Sequence, residues 1–581
     1  MNRTARSRRE RFDPVSQDVP TRTWTVLAQD PSVLGPGKRA LTTRVAVPAE
    51  RLEAGPKGHR IHVIDFDATR NAYYEPRQQD FYSDRYEKTG DIDKLVNDPY
   101  FHQQNVYAIA MHVLCVFQTA LGRPISWGFN SQAPQLKIAP HAFADANAYY
   151  SRESESLSFG YFSGESGDTV FTCLSHDIVA HETAHALLDG LRASFLRPSH
   201  ADQAAFHEAF ADVVALLSLL KSSELVELGL MEISDRRNLI KSRDLTYQSL
   251  RQKNILFKLA KQFGREMSFV RGDALRHSVA LDPSPTLLGQ QVYQEPHRRG
   301  EILVAVIFQA FLKVWCKRLE PRGTDRGIAL NRAVVAEEAA AAARELLHIA
   351  IRGLDYLPPI DLNFGDYLSA MITADLQLYP NDSKYLYRKT LREAFASFGI
   401  SPSGRRREDG AWDPPPTAEK LRYDGLHFET LQSDPNTLFR FIWENRNALG
   451  IDRDAFTRVT SVRPCVRVST DGLVLRETVV EYLQTLRVFA RELDRFGIKC
   501  PEGLSGQTFL PLYGGGTLVF SEFGHVKFHI ATGVRSPRQS DRLKSLYERG
   551  AFNRDTGVGT QFADLHRRRM LGGAGHPEEQ W

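Results

Sequence analysis

Two histidines four residues apart, His181 and His185, lie in the stretch HDIVAHETAHALLDG at 176–190, with Glu182 directly after the first. On a helix this spacing puts both imidazoles on one face, a turn apart and within reach of one metal ion. Glu182 then projects from the adjacent edge, where a carboxylate can take a proton from a metal-bound water. The chain holds 18 histidines, enough for the pattern to arise by accident, so the reading needs a third ligand. Catalytic zinc takes three protein ligands and leaves a fourth position open. The next segment, FHEAFADVVALL, offers Glu208 as that ligand. Asp212, one turn on, can accept a hydrogen bond from a ligand imidazole and fix its tautomer. The competing reading makes Glu208 and Asp212 a solvated helix face and the histidines satisfied core groups.

Such a site has to be positioned by helices, and beyond Asp177 the sequence is helical in character. Apolar spacing predicts helices at 177–196, 203–221, 247–264, 298–318, 332–353 and 385–397. Earlier in the chain, HRIHVIDFDA alternates as a strand does, and DPYFHQQNVYAIAMHVLCVFQTALG reads as a helix closed by Gly122. QLKIAP and LSFGYF are short strand-like pieces. The expected class is α+β. Residues 1–40 read as a flexible arm, 41–175 as a β-rich lobe and 176–400 as a helical metal-binding lobe. The Pro- and Arg-rich 401–417 reads as a linker, 418–573 as a separate, smaller α+β module and 574–581 as a tail. In that module VLRETVVEYLQ reads as a strand, TLVFSEFG and HVKFHIATG as a hairpin, and about Gln484 to Phe496 as a helix.

Composition narrows the function classes. At 581 residues, with 42% apolar and 25% charged residues, the chain is long enough for several core units and argues against wholesale disorder. A net charge of +4 is too mild for a nucleic-acid-binding face, and the basic runs near Arg6, Arg405 and Arg567 sit in stretches that read as tails or linkers. Five cysteines (Cys115, Cys173, Cys316, Cys465 and Cys500), never spaced as CxxC, indicate neither a disulfide framework nor a cysteine zinc site and read as buried small hydrophobes. No apolar run follows the charged N-terminus as a secretory signal requires, and no window approaches about 18 consecutive apolar residues. The expectation is a cytoplasmic protein with no membrane partner.

HDIVAHETAHALLDG followed by HEAFAD resembles the thermolysin-like branch of the gluzincin zinc metallopeptidases. Further stretches are similar in the same order along the chain: DANAYYSRESESLSFG, GDALR at 272–276, EPHRRGEILVAVIFQAF at 295–311, DYLPPIDLNFGDYLSAMITADLQLY and REAFASFGI, ending at Ile400. The resemblance spans about residues 60–400. It implies a two-lobed catalytic unit and a zinc ion held by His181, His185 and Glu208. It further implies Glu182 as general base, His297 as oxyanion stabiliser, and Asn147, the Ala148 carbonyl and Arg276 as contacts to a bound peptide.

The departures from that pattern matter equally. A tyrosine expected about eleven residues after the second histidine is missing, with Leu196 near its place and His200 in the following loop. Val292 stands where an aspartate would orient His297, leaving Glu295 or Asp282 for that task. Asp177 matches a calcium ligand, but Leu219 falls where another acidic ligand belongs, so the family's calcium site is expected to be absent. The resulting expectation is a specialised cytoplasmic processing endopeptidase, acting on a peptide or protein substrate and weakened in its oxyanion hole. The C-terminal module would restrict access or bind a protein partner. The rivals are a gluzincin aminopeptidase, for which no GxMEN-type segment occurs, and a catalytically weak or inactive scaffold that binds a partner.

Overall fold

The computed structural model describes residues 20–548, apart from 30, 32–33, 36–38, 79–82, 130–133, 165–166, 197–200, 253–272, 404–407, 425–433 and 470–471. The chain is mixed α+β with several sheets.

In chain order, the elements that position the site are strands β1 (Thr21–Leu27), β2 (Thr42–Pro48) and β3 (Ile61–Val63), then helix α1 (Pro99–Leu121). Strands β4 (Leu136–Phe143), β5 (Ala148–Ser151), β6 (Ser156–Ser163) and β7 (Thr169–Phe171) follow. Next come helices α2 (His176–Leu191), α3 (Ala201–Leu220), α4 (Asp273–Ala280), α5 (Pro296–Leu319), α6 (Arg332–Gly353), α7 (Phe364–Leu378), α8 (Tyr387–Ser397) and α9 (Pro435–Glu444). Strands β8 (Phe456–Val468), β9 (Val474–Phe489), β10 (Phe509–Ser521) and β11 (Val526–Thr532) complete the set.

Residues 21–27, inside the stretch expected as an arm, form β1. It pairs antiparallel with β2 from Thr21↔Pro48 to Leu27↔Thr42 and buries Trp24, Val26 and Leu27. In TRTWTVL the apolar residues are too few to mark a strand alone; the partner strand supplies the rest. The main N-terminal sheet runs β7-β6-β4-β3, with β5 on the other side of β6. β4 is parallel to both β3 and β6, while β5 and β7 are antiparallel to β6.

α1 starts where Asp98 caps the Tyr100 N–H and Pro99 presets the first turn, and it ends on Gly122 at φ 67°, a left-handed conformation glycine adopts without cost. α1 and α3 are long and apolar enough to cross a membrane, and both are mostly buried inside the fold. α2 and α3 are buried on almost every face, and α2 takes the polar groups His181, Glu182, His185 and Asp189 into the interior with it. α2 stops at Leu191, followed by a 3-10 turn over Ala193–Leu196, and of the helix expected at 247–264 only Tyr247–Gln252 falls within the described residues.

The C-terminal strands form one antiparallel meander, β8-β9-β10-β11. β9 runs on through Phe489, so a helix beginning at Gln484 is not what forms: Gln484↔Gly514 to Phe489↔Phe509 are strand pairs, and a 3-10 turn covers Ala490–Phe496. The meander has apolar clusters of its own, one around Leu438, Phe441, Val480 and Phe520 and one around Leu486, Leu510 and Leu543, and it is also joined to the helical part. Val519, Phe528 and Ile530 belong to the same apolar core as the helices, and Thr517 donates to the Leu357 carbonyl at 2.6 Å. In the stretch expected as a linker, Ala411 is fully buried and the Trp412 indole donates to the Tyr356 carbonyl at 2.9 Å. These contacts pair residues far apart in sequence, which local composition does not register.

Candidate metal centre

α2 and α3 pack side by side, and their facing turns bring three donors together. His181 Nε2 lies 3.6 Å from one Glu208 oxygen and His185 Nε2 lies 3.5 Å from the other. One donor atom from each of the three residues lies within 4.8 Å of the others. Tetrahedral ligands with zinc bonds of about 2.0–2.1 Å stand about 3.3 Å apart, so the donor set fits such an ion with little movement. The solvated-face reading fails for Glu208, whose side chain is only 4% exposed between two imidazoles. A carboxylate is placed there only with partners for its charge.

The far sides of both rings are held as well. His181 Nδ1 is 2.8 Å from Asp212 Oδ1, the partner anticipated from the one-turn spacing. His185 Nδ1 is 2.8 Å from His207 Nδ1, with the two rings stacked at 20°. Nothing in the sequence marks His207 for this contact, since its position directly before Glu208 gives no sign that it reaches across to α2. A hydrogen-bonded partner behind a ligand imidazole typically contributes 10- to 100-fold to metal affinity. Asp212→Ala and His207→Ala are each expected to weaken zinc binding by about that factor, measured by competition with a chromogenic chelator. Unchanged affinity in both would remove the pair from the site.

Glu182 is fully buried and its Oε2 accepts the Tyr150 N–H at 3.0 Å. This contact ties α2 to β5. Backbone groups of residues two apart in a strand point to the same side, so the Ala148 carbonyl faces the same edge of β5 as the N–H that reaches Glu182. The edge is pressed into place by Gly160 on β6: a Cβ there would lie 2.1 Å from the Asp145 carbonyl and 2.8 Å from that of Asn147. The Asn147 side chain turns back to accept the Ala148 N–H at 2.9 Å. Tyr150 is anchored from its other end, its hydroxyl donating to Asp189 at 2.8 Å. Burial raises the Asp189 carboxyl above its ordinary value, with Arg152 and the Tyr150 hydrogen bond working against the rise.

His297 sits in the first turn of α5, which Glu295 caps by accepting the Arg298 N–H at 2.8 Å. Of the two candidates for orienting its ring, Glu295 does so, 2.7 Å from Nδ1, while Asp282 pairs with Arg251. Burial alone would raise the Glu295 carboxyl; the His297 hydrogen bond and charge, with the N–H groups of Arg298 and His297, outweigh it and bring it to about 2. His297 Nε2 is buried and has no hydrogen-bond partner among the described residues. α5 meets α3 beside this turn: a Cβ on Gly300 would lie 3.3 Å from the Ala205 carbonyl and 3.4 Å from the Ala209 Cβ, flanking Glu208. Arg276 falls on α4, its side chain outside the described residues, and His200 lies outside them too. Asp177 accepts from the Ser175 hydroxyl, and Leu219 is buried against Ala28 and Leu225.

No protein-family model matches the chain, and no curated protein matches it.

Proposed function

We propose that the chain is a zinc-dependent endopeptidase built on a two-lobed, thermolysin-like plan. The observation that carries the reading is the joint arrangement of His181, His185 and Glu208 around one point, with Glu182 next to His181 in α2 and hydrogen-bonded to β5 through the Tyr150 N–H. A sheet edge next to a general base is where an extended peptide adds as a further strand. When bound at the three donors, zinc supplies Lewis acidity, acidifying a water and polarising the scissile carbonyl.

The chain's own residues do the rest. Glu182 takes the proton from the attacking water and delivers it to the leaving amine. The Ala148 carbonyl accepts from the peptide backbone and sets its register. His297, oriented through Nδ1 by Glu295, presents Nε2 to the carbonyl oxygen as it gains charge, donating in the imidazolium form in which both ring nitrogens carry hydrogen. Arg276 holds a substrate carbonyl. With no tyrosine between His185 and Glu208, the protein's share of oxyanion stabilisation is assigned to His297. His297→Ala should then lower kcat by about 100- to 1000-fold while leaving KM within a few-fold; a change confined to KM would assign it to ground-state binding instead.

The activity is expected to be that of a cytoplasmic processing protease, with the docked C-terminal meander limiting which chains enter or recruiting a protein partner. The test is cleavage of a proteome-derived peptide library by zinc-loaded protein, repeated after chelation and after metal return. Internal cuts that vanish and reappear with zinc support the endopeptidase. Removal of single N-terminal residues would make it an aminopeptidase, and no cleavage in any arm would leave a binding scaffold.

A further inference from the structure

A second group of metal-ligating side chains converges away from the His181 site. His102 on α1, His141 on β4 and Cys173 in the turn before α2 are all buried, and one donor atom from each lies within 4.8 Å of the others. The hydrogen bonds around the two rings fix where their hydrogens sit. His102 Nε2 is 2.9 Å from the Val96 carbonyl, which only accepts, so that nitrogen carries the hydrogen. His141 Nδ1 is 2.8 Å from Asp65 Oδ1, and beside a carboxylate it too is the N–H. The nitrogens left over, His102 Nδ1 and His141 Nε2, face each other at 2.7 Å, and in neutral rings both present lone pairs. Two lone pairs at that distance repel unless something positive lies between them. A proton would serve two partners; Cys173 Sγ arrives at the same point as a third donor.

We propose that His102, His141 and Cys173 bind a second zinc ion, distinct from the one assigned to His181, His185 and Glu208. Two imidazoles and a thiolate are a donor set that borderline-soft zinc accepts. Tetrahedral geometry asks the two facing nitrogens to stand about 3.3 Å apart, a small opening of the present pair. On binding, the Cys173 thiol loses its proton to solvent as the metal–sulfur bond forms. Zinc(II), the thiolate and the Asp65 carboxylate then sum to zero charge in a site closed to water. Without a cation, Asp65 is 3% exposed and no Lys or Arg pairs with it among the described residues, its other oxygen being met by the Gln103 amide at 2.9 Å. The Asp65 carboxylate and Val96 carbonyl behind the imidazoles are the kind of outer partners that fix ligand tautomers around a metal. Phe171 packs edge-on to both rings, at 4.8 Å and 5.4 Å between centroids, and Tyr74 covers His141 from another side at 4.9 Å. Such a site would be structural, clamping α1 and β4 to the turn from which α2 and its histidines start.

The test uses metal counting and cobalt substitution on the full-length protein. Elemental analysis should find two zinc equivalents per chain, falling to one in Cys173→Ser, in His141→Asn and in His181→Ala. The cobalt(II)-loaded wild-type protein should show a sulfur-to-cobalt charge-transfer band in the near ultraviolet. That band should survive in His181→Ala, because the catalytic ligand set contains no sulfur. One equivalent with the band present would uphold this site and sink the catalytic one. Absence of the band from wild-type protein carrying cobalt would overturn the inference without recourse to any variant, so a folding failure of Cys173→Ser leaves the test intact.

Discussion

Glu182→Gln is expected to lower peptide hydrolysis by about 100- to 10,000-fold, the usual contribution of a positioned general base, while the bound zinc and KM stay as in the wild type. Glutamine is the informative replacement because of what Glu182 touches. Its Oε2 accepts the Tyr150 N–H at 3.0 Å, and an amide oxygen can accept that same hydrogen bond, so the link between α2 and β5 survives. What glutamine cannot do is take a proton from water. Zinc is expected to remain, since the three donors are His181, His185 and Glu208 and not this residue. The measurements are kcat and KM on a peptide identified by the library assay, with zinc content of the same preparation. If kcat falls only together with zinc, Glu182 is a ligand or a packing residue. If kcat is unchanged, the base lies elsewhere. Glu182→Ala serves as the contrast: it removes the acceptor of the Tyr150 N–H and should also loosen β5, raising KM.

The parts of this site that the sequence displayed are those written within one helix. His181 and His185 are four apart, and Glu208 and Asp212 are four apart, so helical geometry alone puts each pair on one face. The residues that hold those pairs from outside are not encoded locally. His207 reaches His185 only because α3 lies against α2 with its turns in step, and Tyr150 reaches Glu182 through its backbone, for which side-chain chemistry gives no signal. The same division runs through the fold. α1 was legible from its cap, its apolar spacing and Gly122, whereas QTLRVFARELDRF carries helix-compatible spacing and yet begins as strand. Pairing of β9 with β10 across thirteen residue pairs outweighs that local preference. Cys173 is the buried small side chain expected of a cysteine outside any CxxC pattern, and its place beside His102 and His141 is again set by long-range packing that the sequence does not display. The docking of the C-terminal meander was hidden entirely, because its partners are separated by more than a hundred residues.

That docking gives the largest expected effect on stability, at Asp355. Its carboxylate receives both terminal nitrogens of Arg123 at 2.6 Å and also pairs with Arg467, whose other nitrogen meets Glu477 at 2.7 Å. Glu477 is itself bonded by the Tyr356 hydroxyl at 2.5 Å and by Lys527 at 2.6 Å. Arg467 and Asp355 are each 1% exposed in their side chains, so neither charge has water to fall back on. Asp355→Asn would leave Arg123 buried with no carboxylate, a change that typically costs about 3–5 kcal/mol. Against a total of about 5–15 kcal/mol for a folded domain, urea unfolding should show a markedly lower midpoint, with the meander and the helices losing structure together. The effect should depend on pH in a defined direction. Burial would raise the Asp355 carboxyl, but the charges and hydrogen bonds of Arg123 and Arg467 outweigh it and hold the carboxyl below the ordinary value. A group depressed in the folded state gives its full stabilisation above its unfolded value, near 3.9, and loses it as pH falls from there towards the folded value. The stability gap between wild type and Asp355→Asn should therefore be constant from about pH 6 to 8 and narrow below about pH 4. A gap that keeps its size in acid would show that the asparagine disturbs packing and that the charge of Asp355 is not what holds the meander in place.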